Sequence, residues 1–185
     1  MKEPAIGLLE FKSVARGIRT IDAVVKKAPV RLLGTYPMCP GKYMILFCGE
    51  VDDVAESMKE GKKIGGDLLI NDIFIPQIHP SVIPALTASV KIEQFGAIGV
   101  IETFSIASCV IAADIAAKAT PVKLVEMRLA NGLGGKGFFI MTGDLADVEA
   151  STAAAAEYVR KEGLLAGHEI IQNPHYDVIH KSIYW

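Results

Sequence analysis

The chain has 185 residues, 51% of them hydrophobic and 22% charged, with a mean hydropathy of +0.35; it is too apolar for a disordered chain and carries more apolar surface than one small core consumes, which points to oligomer contacts. A formal charge of -2 and a pI near 6.1 provide no cationic field to gather phosphates, so nucleic acid is not an expected partner. Every long apolar stretch is interrupted, as Asp114 interrupts the run 106–117, so no membrane span is expected. Lys2, Glu3 and Pro4 precede a short run that contains Glu10, which does not read as a signal peptide, so a cytosolic location is expected.

The first elements follow from local pattern. Residues 5–11 form a β-rich apolar run, Ser13 is placed to cap a helix with apolar residues at helical spacing to Lys27, and Pro29 marks its stop. Segments 30–36 and 42–48 read as strands around a Pro-Gly turn, 51 to about 61 as a helix, 68–75 as a strand, and 81–86 as a short helix that closes the unit. The order β-α-β-β-α-β is ferredoxin-like, an α+β fold.

The pattern then repeats. Ala5, Ile6, Gly7, Glu10, Ser13, Asp22, Lys26, Pro29 and Val30 recur at an offset of 92 as Ala97, Ile98, Gly99, Glu102, Ser105, Asp114, Lys118, Pro121 and Val122. Two residues are gained afterwards, so Gly41-Lys42 meets Gly135-Lys136, and later His79 meets His175. Two tandem units, 1–92 and 93–185, are the expected domains.

Several residues invite chemical readings. Gly132, Gly134 and Gly137 spell GxGxxG, but a strand-like run follows where a dinucleotide site needs a helix; Ala130 and Gly137 also break the phosphate-loop pattern. A glycine hairpin that brings backbones close to a symmetry axis, with amides free to line a pore, explains this run better. His79 and His175 precede short helices beside Ser81 and Asp177, so capping or turn roles are expected. Glu10 and Glu102 sit on the first strand of each copy and are expected to satisfy the same local backbone groups twice.

Three cysteines cannot all pair within one chain, which leaves free thiols or a metal ligand. Cys48 and Cys109 lie within apolar patterns and read as small buried hydrophobes. Cys39 stands between Met38 and Pro40, and Gly41 allows a sharp turn that pushes its thiol outward. Its counterpart falls in the Asn131-Gly132 region, so the thiol belongs to one repeat only.

AIGxxE, a helix-ending Lys before P-V, a glycine turn, G-E/D-V-x-x-V and I-P-x-x-H together resemble the bacterial microcompartment shell domain, twice over nearly the whole chain. The resemblance implies the tandem-domain class, whose trimers imitate a six-domain hexagonal tile. The turns at 38–42 and 132–136 are similar to those of the iron-sulfur branch of that class, known from propanediol-utilisation compartments. This implies a structural protein rather than an enzyme, located in a microcompartment, with one [4Fe-4S] cluster per trimer on Cys39 serving electron transfer across the shell. Met38, Pro40, Gly41, Lys42, Gly132, Gly134 and Gly135 would form the collar, with Lys42 offsetting negative charge. Lys26 and Lys118 match the family's edge lysine and imply lateral contacts with other shell proteins; an enclosed redox enzyme is a further implied partner. Pro29 and Pro121 stand where the family usually has Asn, and Gln77 and Asn173 where it has Arg, so lateral packing is expected to differ. The alternatives are a tile whose opening passes small polar metabolites and a cytosolic thiol enzyme that uses Cys39 with a histidine.

Overall fold

A computed structural model describes residues 4–130 and 132–182. The chain divides into two compact units, 1–78 and 79–185. The first holds β1 (Ala5–Phe11), α1 (Val14–Lys27), β2 (Arg31–Met38), β3 (Lys42–Gly49), α2 (Val51–Gly65) and β4 (Leu69–Ile75). The second holds a short α3 (Val82–Leu86), then β5 (Ala97–Thr103), α4 (Ile106–Ala119), β6 (Lys123–Leu129), β7 (Gly137–Gly143), α5 (Leu145–Lys161), β8 (Leu165–Ile171) and α6 (Tyr176–Ser182). The expected short helix therefore does not close the first unit: α3 packs on β6 and α4 of the second.

Each unit is one antiparallel four-stranded sheet, in the order β2-β3-β1-β4 and β6-β7-β5-β8. This is the ferredoxin-like arrangement read from the sequence. Even the irregularities are duplicated. The β1/β4 register shifts between Glu10 and Phe11 and the β5/β8 register between Glu102 and Thr103; the β2/β3 shift after Leu32 is matched by the β6/β7 shift after Leu124.

The helices begin and end for the reasons their sequences give. Ser13 and Ser105 are extended N-cap residues whose hydroxyls accept from the amides of Arg16 and Ser108, at 3.2 and 3.4 Å. Both helices stop two residues before Pro29 and Pro121. Across each helix pair a serine joins the layers: Ser57 Oγ donates to the Val24 carbonyl at 3.0 Å and Ser151 Oγ to that of Ala116 at 2.8 Å. Helix α2 continues past Gly61 to Gly65, four residues further than the sequence suggests. Gly61 is a packing residue: a Cβ there would lie 2.4 Å from Leu9 Cδ1, whereas the true stop is Gly66, with φ of +51°.

The first core is built on Leu9, Phe11, Ile45, Phe47 and Met58; the second includes Ile98, Val125 and Ile140. The two differ at one place in a reciprocal way. In the first unit Gly17 of α1 faces Tyr43 of β3, and a Cβ on the glycine would lie 2.3 Å from Tyr43 Cδ1. At the matching positions the second unit has Cys109 on α4 and Gly137 on β7, and a Cβ on that glycine would lie 2.8 Å from Cys109 Cβ. Large and small have changed sides. Gly17→Ala should therefore overpack the first unit and cost about 1–3 kcal/mol in chemical denaturation despite alanine's better helix propensity; a gain in stability would show that Tyr43 has room to move.

Candidate functional site

The candidate loop is the turn between β2 and β3. Its last registered pair is Met38 with Lys42, Met38 is buried, and Cys39, Pro40 and Gly41 project beyond it, exposed. Gly41 has φ of +73° and open space where a Cβ would be, and the Cys39–Pro40 peptide is cis. Cys39 is thus a solvent-facing thiol at the tip of a hairpin.

The other two cysteines are enclosed. Cys48 Sγ lies 3.7 Å from the Arg31 carbonyl on the adjacent strand. Burial pushes the Cys109 thiol up to about 12, so it stays protonated and unreactive at neutral pH. Among the described residues no three His, Cys, Asp or Glu side chains converge on a metal-sized site. One chain offers one suitable thiol, which fits a shared cluster only if several chains contribute.

The equivalent turn of the second unit takes a different shape. Ala130 (φ +57°), Gly132 (+72°), Gly134 (+63°) and Gly135 (+92°) all occupy the left-handed region. The Ala130 amide donates to the Lys136 carbonyl at 2.8 Å and the Lys136 amide to that of Leu133 at 3.2 Å. Asn131, named above as part of the Cys39 counterpart, lies outside the described residues.

The first-strand glutamates have partners that local reading missed. Lys42 Nζ is 2.6 Å from Glu10 Oε1 and Lys136 Nζ is 3.0 Å from Glu102 Oε1, so side-chain ammonium groups satisfy them rather than local backbone groups. The ammonium expected to offset charge at the loop tip is thus committed to the strand beneath it. Both members of each pair recur in both repeats, and that joint recurrence was the available signal. The two pairs are not equal: the Glu10 side chain is 6% exposed and that of Glu102 is 42% exposed. Lys42→Met, which strands a buried carboxylate, should cost about 2–4 kcal/mol in chemical denaturation, whereas Lys136→Met should cost under about 1 kcal/mol. Equal losses would mean that Glu10 is rehydrated or protonated without penalty.

The histidines do cap, but by their own rings. His79 Nδ1 accepts from the Ser81 amide at 3.3 Å, and His175 Nδ1 accepts from that of Asp177 at 3.2 Å. Ser81 makes no side-chain cap. The His79 amide in turn donates to Asp114 Oδ1 at 2.7 Å. The helix-ending lysines form i,i+4 pairs, Lys26 with Asp22 at 2.7 Å and Lys118 with Asp114 at 2.6 Å, and both lysines are exposed. Pro29, Pro121, Gln77 and Asn173 are also at the surface. No helix among the described residues is long and apolar enough to cross a membrane.

Two ferredoxin-like units with twinned caps, bulges and ion pairs define a duplicated structural domain. The BMC domain model matches residues 5–78 and 97–174, and the chain belongs to that family as a tandem-domain shell protein of bacterial microcompartments, a structural component and not an enzyme. It is 39% identical over 92% of its length, and 93% of the relative's, to the bacterial microcompartment shell protein PduT of Citrobacter freundii. The crystal structure of a microcompartments protein from Desulfitobacterium hafniense DCB is similar at 43% identity and a TM-score of 0.93, covering 97% of this chain and 99% of that one. A fused permuted hexameric shell protein of the RMM microcompartment shares the fold at 19% identity and a TM-score of 0.59, over 84% of this chain and 81% of that one.

Proposed function

We propose that three copies close into a hexagonal shell tile and that Cys39 of each holds one [4Fe-4S] cluster at the threefold axis. The observation that carries this reading is a solvent-facing thiol at a hairpin tip, present in one repeat and absent from the other, beside two cysteines that are buried. A thiol required by the fold would be expected in both copies and inside. Similarity to PduT over nearly the whole chain supports the same tandem class. Head-to-tail contacts between unequal units close into rings, and a trimer gives six units around the axis.

Clusters of this kind usually take four cysteine thiolates. Three copies of Cys39 supply three, so a small non-protein ligand at the remaining iron is part of the reading. When bound, an iron-sulfur cluster takes up and returns single electrons, which suits transfer across the shell. Met38 roots the loop in the core, Pro40 restricts it, and Gly41 lets three backbones approach without Cβ contacts. The glycine turn with Gly132, Gly134 and Gly135 would complete the collar. Lys26 and Lys118 would meet neighbouring shell proteins at the tile edge, and an enclosed redox enzyme would exchange electrons with the cluster.

The test is anaerobic purification followed by mass measurement and iron and sulfide analysis. A mass of three chains, with about four irons and brown colour per trimer, is the expected result. A three-chain particle that takes up no iron on reconstitution would leave a plain tile with a glycine-lined opening for small polar metabolites, and a stable monomer would end the tile reading.

A further inference from the structure

Residues 79–86 end the first repeat in sequence, yet they lie in the second compact unit. There α3 packs on β6 and α4, and the His79 amide donates to Asp114 Oδ1 while Lys118 holds the other oxygen of that carboxylate. The second repeat ends in a matching tail, His175 followed by α6, whose Ile179 packs against the core of its own unit. The His175 and Asp177 side chains are 76% and 52% exposed.

The surface such a tail would cover is open in the first unit and closed in the second. Val14 and Ile18 of α1 are 38% and 55% exposed, whereas their counterparts Ile106 and Val110 on α4 are 1% and 0% exposed. Leu32 of β2 is 37% exposed against 1% for Leu124 of β6. The Asp22 side chain is 63% exposed against 10% for Asp114, and Lys26 lies 2.7 Å from each of its oxygens.

We infer that the tail of one copy docks on α1 and β2 of a second copy, as α3 docks on β6 and α4 within one chain, with the His175 amide donating to Asp22 of the neighbour. This rests on the ring proposed above and supplies its joint. The occupant is set by the internal template: the same His-led tail, the same aspartate one repeat earlier, and an apolar strip of matching position. Lys26 must then release one oxygen of Asp22 and keep the other, as Lys118 does at Asp114. Lys181 takes the place of buried Ala85, and its ammonium is held 2.7 Å from Asp177 on its own helix.

The joint predicts a specific covalent link. In a Cys39→Ser background, Asp22→Cys combined with His175→Cys should give disulfide-linked dimers and closed trimers on mild oxidation, with a short bis-maleimide as a second linker. Either single substitution should give no cross-linked ladder. A three-chain particle in which the double variant forms no link between chains would overturn the joint and leave the ring standing. A link formed within one chain would also overturn it, because the tail would then fold back on its own α1. If the parent protein is monomeric by mass, the ring fails and the joint fails with it.

Discussion

Cys39→Ser should remove the visible absorbance and nearly all iron from anaerobically prepared protein while leaving a three-chain mass and the denaturation midpoint of cluster-free wild-type protein. The separation of these effects follows from where the thiol sits. Cys39 is exposed at a turn whose anchors lie below it, in buried Met38 and in the Lys42–Glu10 pair at 2.6 Å. A sulfur-to-oxygen change at the tip touches neither anchor. Serine is a poor ligand for iron-sulfur clusters, and in a ring all three ligating positions change together, so the loss should be close to complete rather than graded. Full iron and sulfide content in the serine variant would remove Cys39 from the proposed site. Loss of the trimer together with the iron would instead mean that the cluster holds the ring shut.

Lys26→Ala should abolish extended sheets or tubes in electron micrographs without changing particle mass or stability by more than a few tenths of a kcal/mol. The lysine and Asp22 are 72% and 63% exposed, and an exposed i,i+4 pair is worth about 0.3–0.5 kcal/mol. Removing the ammonium therefore costs the single chain little; because Asp22 is also the inferred acceptor of the neighbouring copy's His175 amide, an effect on lattice growth is assigned to the edge only where the three-chain mass is kept. Lys118 is a less clean probe. Its partner Asp114 is 10% exposed and also accepts the His79 amide, so Lys118→Ala should disturb the second unit as well as the edge. Sheets that persist unchanged in the Lys26 variant would place the lateral contact elsewhere.

Most of the fold was legible because its signals are local. Caps at Ser13 and Ser105, stops at Pro29 and Pro121, and apolar periods set six elements per repeat, and duplication supplied each reading with a second trial. The exposed thiol was legible too, from a Pro-Gly turn and from its absence in the other copy. What escaped was long-range. Gly61 reads as a helix stop until Leu9, 52 positions earlier, is seen pressed against it. Glu10 reads as locally satisfied until Lys42 arrives from the next hairpin. The short helix at 82–86 reads as the end of its own repeat, and only packing assigns it to the next unit.

The exchange of large and small between Gly17–Tyr43 and Cys109–Gly137 limits how the two halves can be shuffled. A hybrid unit that takes its helix from one half and its hairpin from the other lands on one of two unfavourable combinations. Helix α1 with β7 brings glycine against glycine and leaves a hollow, whose cost follows the volume left unfilled. Helix α4 with β3 brings cysteine against tyrosine, where a Cβ alone already comes within 2.3 Å of the ring. Helix and hairpin therefore behave as one inherited cassette. Gene conversion between the halves, or a designer's splice, preserves a filled interior at this spot only when the exchanged stretch runs from the first helix through the third strand.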